Sequence, residues 1–70
     1  MNDRLLTVAE LAAYLGVARH TIYQWRYRGE GPPGFRLGGP GGQVRYRESE
    51  VIAWLEQQRD PQPAAHGDSA

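Results

Sequence analysis

Ten side chains between positions 19 and 47 are the candidates for contact with nucleic acid: Arg19, His20, Thr21, Tyr23, Gln24, Arg26 and Tyr27 in one run, then Arg36, Arg45 and Arg47. Arginine donates two parallel hydrogen bonds to guanine or phosphate, glutamine pairs bidentately with adenine, and tyrosine donates to phosphate or packs on a thymine methyl. Arg19 and Gln24 are therefore the candidate base readers, with His20, Thr21 and Tyr23 beside them and Arg26 and Tyr27 further along the backbone track. Arg47 is expected on phosphate. Arg36 and Arg45 are expected near the adjacent minor groove, where narrow A·T tracts attract arginine.

Catalysis lacks its parts. Thr7, Ser49 and Ser69 have no histidine neighbour in sequence, and Thr21 and His20, adjacent on a helix, point apart. Glu48 and Glu50 open a helix, where carboxylates complement the macrodipole. The run Gly38-Gly39-Pro40-Gly41-Gly42 is not followed by the Lys-Ser/Thr helix of a phosphate-cradling loop. There is no cysteine, and His20 and His66 lie far apart with no carboxylates arranged around them. The expectation is a chain with no enzymatic activity, no metal or other cofactor and no small-molecule ligand. No apolar run approaches the length of a membrane span and Met1-Asn2-Asp3-Arg4 does not open a signal peptide, so a cytoplasmic location is expected.

The formal net charge of the 70 residues is zero, but the charge is unevenly placed. Residues 19–47 carry six arginines against Glu30, whereas residues 48–70 carry five acids against Arg59. A basic middle attracts phosphate, and an acidic end limits non-specific adhesion or meets a basic protein. All eight basic residues are arginine. That suits bidentate recognition.

Several local signals position these side chains. Thr7-Val8-Ala9-Glu10 has the form of a capping box, so a helix should begin at Val8. Its apolar stripe is Val8, Leu11, Ala12 and Leu15, Gly16 should end it, and Leu5 and Leu6 should pack on it as a staple. A second helix is expected from about Ala18 to Arg28, stopped by Gly29, with Ile22 and Trp25 turned inward. Ala18 has no side-chain acceptor for the helix end, a deficit of about 1 kcal/mol that is either tolerated or made good by a DNA phosphate.

Gly31-Pro32-Pro33-Gly34 is a stiff connector. Phe35–Leu37 and Gln43–Tyr46 form two β-prone runs around the glycine-rich segment, which suits a flexible hairpin tip. Alternation suggests Phe35, Leu37 and Val44 on or near one face and Arg36, Gln43 and Arg45 on the other. Glu48 to Gln58 is a third helix, with Val51, Trp54 and Leu55 closing the core. The fold expected is α+β: a small winged helix-turn-helix of three helices and a two-stranded β-hairpin, spanning residues 1–59, followed by a disordered tail at 60–70.

The segments Leu6 to Trp25, Arg36-Leu37-Gly38-Gly39, Arg45 to Val51 and Ala53-Trp54-Leu55 resemble the excisionase-like, AlpA-like branch of the MerR-type winged-helix domains. Thr21-Ile22-x-x-Trp25, Pro32-Pro33 and Glu48-Ser49-x-Val51 are most similar to phage and integrative-element excisionases. The chain departs from the family at Ala18, where serine is usual, and in its glycine-rich tip. The resemblance implies binding to double-stranded DNA through the second helix and the wing. It also implies cooperative self-association on repeated sites, DNA bending near an attachment site and assistance to an integrase in excision. A stand-alone transcriptional regulator of the same fold is the alternative. The absence of a long coiled coil after the wing argues against a dimeric sensor.

Overall fold

The computed structural model describes residues 3–60. Apart from Asp60, the tail expected at 60–70 lies outside the described residues. The elements run in the order β1 (Leu5–Leu6), α1 (Val8–Leu15), α2 (Arg19–Arg28), β2 (Phe35–Leu37), β3 (Gln43–Arg47) and α3 (Glu48–Gln57). Three helices with a small antiparallel sheet make the α+β architecture expected.

The capping box forms as its spacing demands: the Glu10 amide donates to Thr7 Oγ1 at 3.0 Å and the Thr7 amide donates to Glu10 Oε1 at 2.9 Å. At the other end of α1, Gly16 adopts φ 73°. Its amide donates to Ala13 at 3.3 Å and the Val17 amide to Ala12 at 3.0 Å, which closes a Schellman turn. Two residues later α2 begins. Ala18 occupies its N-cap without a side-chain hydrogen bond.

The sheet differs from the two-stranded wing expected. Its order is β1-β3-β2, and Leu5 and Leu6 pair with Arg47 and Tyr46. The two leucines are thus a third strand, with Leu6 buried and Leu5 exposed. A pair of residues is too short to announce a strand by alternation, and only the free edge of β3 recruits it.

The hairpin register also revises the faces. Arg36 pairs with Val44, Phe35 with Arg45 and Leu37 with Gln43. Paired residues share a face, so Arg36 lies on the side of Val44 and Tyr46, while Phe35 and Leu37 share the outer side with Gln43 and Arg45. The tip closes with the Gly42 amide donating to Gly39 at 2.8 Å across Pro40-Gly41. Proline followed by glycine with φ 78° is the pattern of a type II turn.

The core consists of Leu6, Val8, Leu11, Ala12, Ile22, Tyr46 and Val51, with Leu15, Val17, Trp25 and Val44 packed partly against it. Tyr46 is 1% exposed and is among the largest fully buried side chains. Trp25 and Trp54, expected in the core, are half-buried. Their rings lie 5.5 Å apart at 50° and border an open groove with Leu15, Val17 and Leu55. A domain this small cannot enclose two indoles as well as its aliphatic centre.

The N-terminal segment caps α3. The Ser49 amide and hydroxyl donate to the Asp3 carboxylate, each at 2.9 Å, and the Glu48 amide donates to the Arg4 carbonyl at 2.9 Å. Arg47, the residue in the N-cap position, contributes no such bond. The Ser49 amide is the main influence holding the Asp3 carboxyl below the usual range; desolvation partly opposes it, and the Ser49 hydroxyl and Arg47 add smaller lowering effects.

Candidate nucleic-acid interface

Arg19, Tyr23 and Arg26 recur at i, i+4 and i+7 and so share one face of α2. Across from that face stands the hairpin, and between them opens a cleft of about 450 Å³. Arg36 and Arg45 line its far side, and Thr7, Val8 and Ala9 from the start of α1 line its base. Among the described residues, four arginines and no carboxylate line this cleft. A concave surface of one charge concentrates positive potential even in a chain of zero net charge.

The arginines are held differently. Arg19 and Arg36 are exposed, whereas Arg26 and Arg45 are half-buried. Arg45 folds along its own strand, its Nη1 donating to the Val44 carbonyl and its Nη2 to Gln43 Oε1, both at 2.9 Å. Arg26 donates from Nη1 to the Tyr46 hydroxyl at 3.3 Å. The Glu10 carboxyl is held below its ordinary range, chiefly by the Thr7 amide, with Coulombic help from Arg4 and Arg45.

A second, shallower hollow of about 440 Å³ runs along α2, bordered by His20, Tyr23, Gln24, Tyr27 and Arg28. Tyr23 borders both depressions. Tyr27 is 92% exposed, the extreme among the large hydrophobic side chains. An aromatic ring so placed has no packing role among the described residues. Thr21 is half-buried, and Ile22 beneath the helix is fully buried, so α2 is anchored by one side and free on the other.

Arg47 stands apart from this group. Its Nη1 lies 3.5 Å from Asp3 Oδ2, and its guanidinium stacks 5.1 Å from the Phe35 ring on the outer face of the sheet. Strand alternation gives Arg47 the same outer face as Arg45, but the Arg45 side chain folds along its strand to the edge of the cleft whereas Arg47 is held by Asp3 and Phe35. Arg28, counted in the basic middle, pairs with Glu30 at 3.6 Å. Sequence reasoning missed the contribution of Thr7, Val8 and Ala9 to the cleft. The capping role of Thr7 was legible, but the nearness of all three to the hairpin depends on tertiary packing.

A helix-turn-helix with an arginine-lined cleft between its second helix and a hairpin belongs to the class of small DNA-binding modules. The helix-turn-helix domain family matches residues 5–59, more than half of the chain, and the protein belongs to that family. It is 42% identical over 54 residues to an uncharacterized protein, ORF88, of Enterobacteria phage P4, a match that takes in 77% of this chain and 59% of that protein. The chain thus spans less than two thirds of the relative's length. No solved structure matches it significantly. Among the described residues no helix is long and apolar enough to cross a membrane.

Proposed function

We propose that the chain is an excisionase of the MerR-type winged-helix branch, a recombination directionality factor that binds and bends DNA beside an attachment site and promotes integrase-mediated excision. The observation that carries DNA binding is the cleft in which Arg19, Arg26, Arg36 and Arg45 converge from α2 and the hairpin. The likeness to a phage protein and the residues shared with excisionases support the finer role.

In this reading α2 enters the major groove by its N-terminal half. Arg19 and Gln24 contact bases, and His20, Thr21 and Tyr23 line the approach. Tyr27 reaches the backbone. The hairpin follows the adjacent minor groove, guided by Arg36 and Arg45, and the strand between the grooves passes over the cleft. Integrase and a neighbouring copy are the protein partners of the bound state.

The test is a footprint on DNA flanking the attachment site, combined with an excision assay using the cognate integrase. Protection beside the attachment site and excision that requires the protein are the expected results. Protection confined to a promoter, with excision unchanged, identifies a stand-alone transcriptional regulator instead.

A further inference from the structure

Tyr46 and Gly34 form an unusual meeting point with Arg26. Tyr46 is buried on β3 beyond the reach of DNA, yet its hydroxyl accepts from Arg26 Nη1 at 3.3 Å. The Arg26 guanidinium also lies 6.0 Å from the centre of the Tyr46 ring. Gly34, which leads into β2, packs flush against both: a Cβ there would stand 2.8 Å from Tyr46 Cε2 and 3.1 Å from Arg26 Nη1. One side chain of α2 therefore touches β3 and the entry to β2 together.

We infer that Arg26 is a positioning residue, which clamps the base of the hairpin to α2 through Tyr46 and so sets the width of the arginine-lined cleft. The inference rests on the DNA-binding reading of that cleft. Arg19 and Tyr23, on the same face of α2, are exposed and free to meet a ligand. Arg26 is half-buried at the hairpin base and already engaged. The guanidinium reaches the hydroxyl as one arm of a rigid planar fork, a placement that the compact ammonium of lysine on its flexible stem does not reproduce.

The experiment is a double-mutant cycle with Arg26→Lys and Tyr46→Phe, read by fluorescence anisotropy on a labelled short random-sequence duplex and by hydrogen exchange of the hairpin amides. Each variant should weaken binding about 3- to 10-fold, and the double variant should be no weaker than Arg26→Lys alone. The amides shared between β2 and β3 should exchange faster in both, while the helical amides of α1 keep their protection. A phosphate contact tolerates lysine. Full affinity in Arg26→Lys, or losses that simply add, would therefore overturn the clamp. If the unaltered protein binds no duplex, the DNA-binding reading fails. The clamp is then judged by exchange alone, and unchanged rates across the amides shared between β2 and β3 in both variants would refute it.

Discussion

Individual side chains on α2 divide by what they already hold. Gln24 and His20 are exposed and border the outer hollow of the helix, so they are available for base edges. Gln24→Ala or His20→Ala should relax sequence preference, measured as the affinity ratio between the selected site and a random duplex. Arg36 faces the cleft, and Arg36→Ala should weaken all duplexes alike and reduce the slope of log affinity against log salt by about 1. Arg47, engaged by Asp3 and Phe35 on the outer face, should change that slope less. Ala18 leaves the start of α2 without a side-chain cap. Ala18→Ser should therefore stabilise the fold by about 1 kcal/mol, a rise of roughly 4–8 °C in Tm for a domain of this size.

At the scale of elements, the hairpin depends on close backbone approach at its closing turn. A Cβ on Gly42 would lie 1.8 Å from the Leu37 carbonyl oxygen, which is fixed by the strand pairing of Leu37 with Gln43. Gly42→Ala should cost about 1–3 kcal/mol through overpacking. Hydrogen exchange should show β2 and β3 opening while circular dichroism retains the helices. Helix α1 was legible residue by residue, because a capping box and a Schellman glycine are local devices. The hairpin was legible in its strands but not in its register, since pairing Arg36 with Val44 depends on how many residues the tip consumes. Strand β1 left no local trace.

For the molecule as a whole, the N-terminal segment ties the sheet to α3. Leu6 is buried in the core while Asp3 caps Ser49, so a short stretch before α1 serves two distant elements. Leu6→Ala should cost about 2–5 kcal/mol, comparable with the total stability expected of a domain this small, and urea titration should find it largely unfolded. The lowered Asp3 pKa gives this link a pH dependence. Its contribution is present above about pH 4, the ordinary carboxylate value, and is lost as pH falls through the lower folded-state value. The midpoint difference between the unaltered protein and Asp3→Ala should be present at neutral pH and vanish in acid. An equal difference at both pH values would assign the cap to something other than the ionised carboxylate.

Sequence alone determined the two-helix turn, the hairpin strands, the closing helix and the concentration of arginine between residues 19 and 47. All of these arise from periodicity, capping and turn chemistry within a few residues. Tertiary structure decided which arginines act together. It gathered Arg19, Arg26, Arg36 and Arg45 around one cleft, held Arg47 away from it against Asp3 and Phe35, and drew Leu5–Leu6 onto the edge of β3. It also left the two tryptophans half-exposed and buried Tyr46 under Arg26. The physical reason is that strand register and helix-to-sheet packing join residues far apart in the chain. A one-residue change of register turns every strand side chain to the other face.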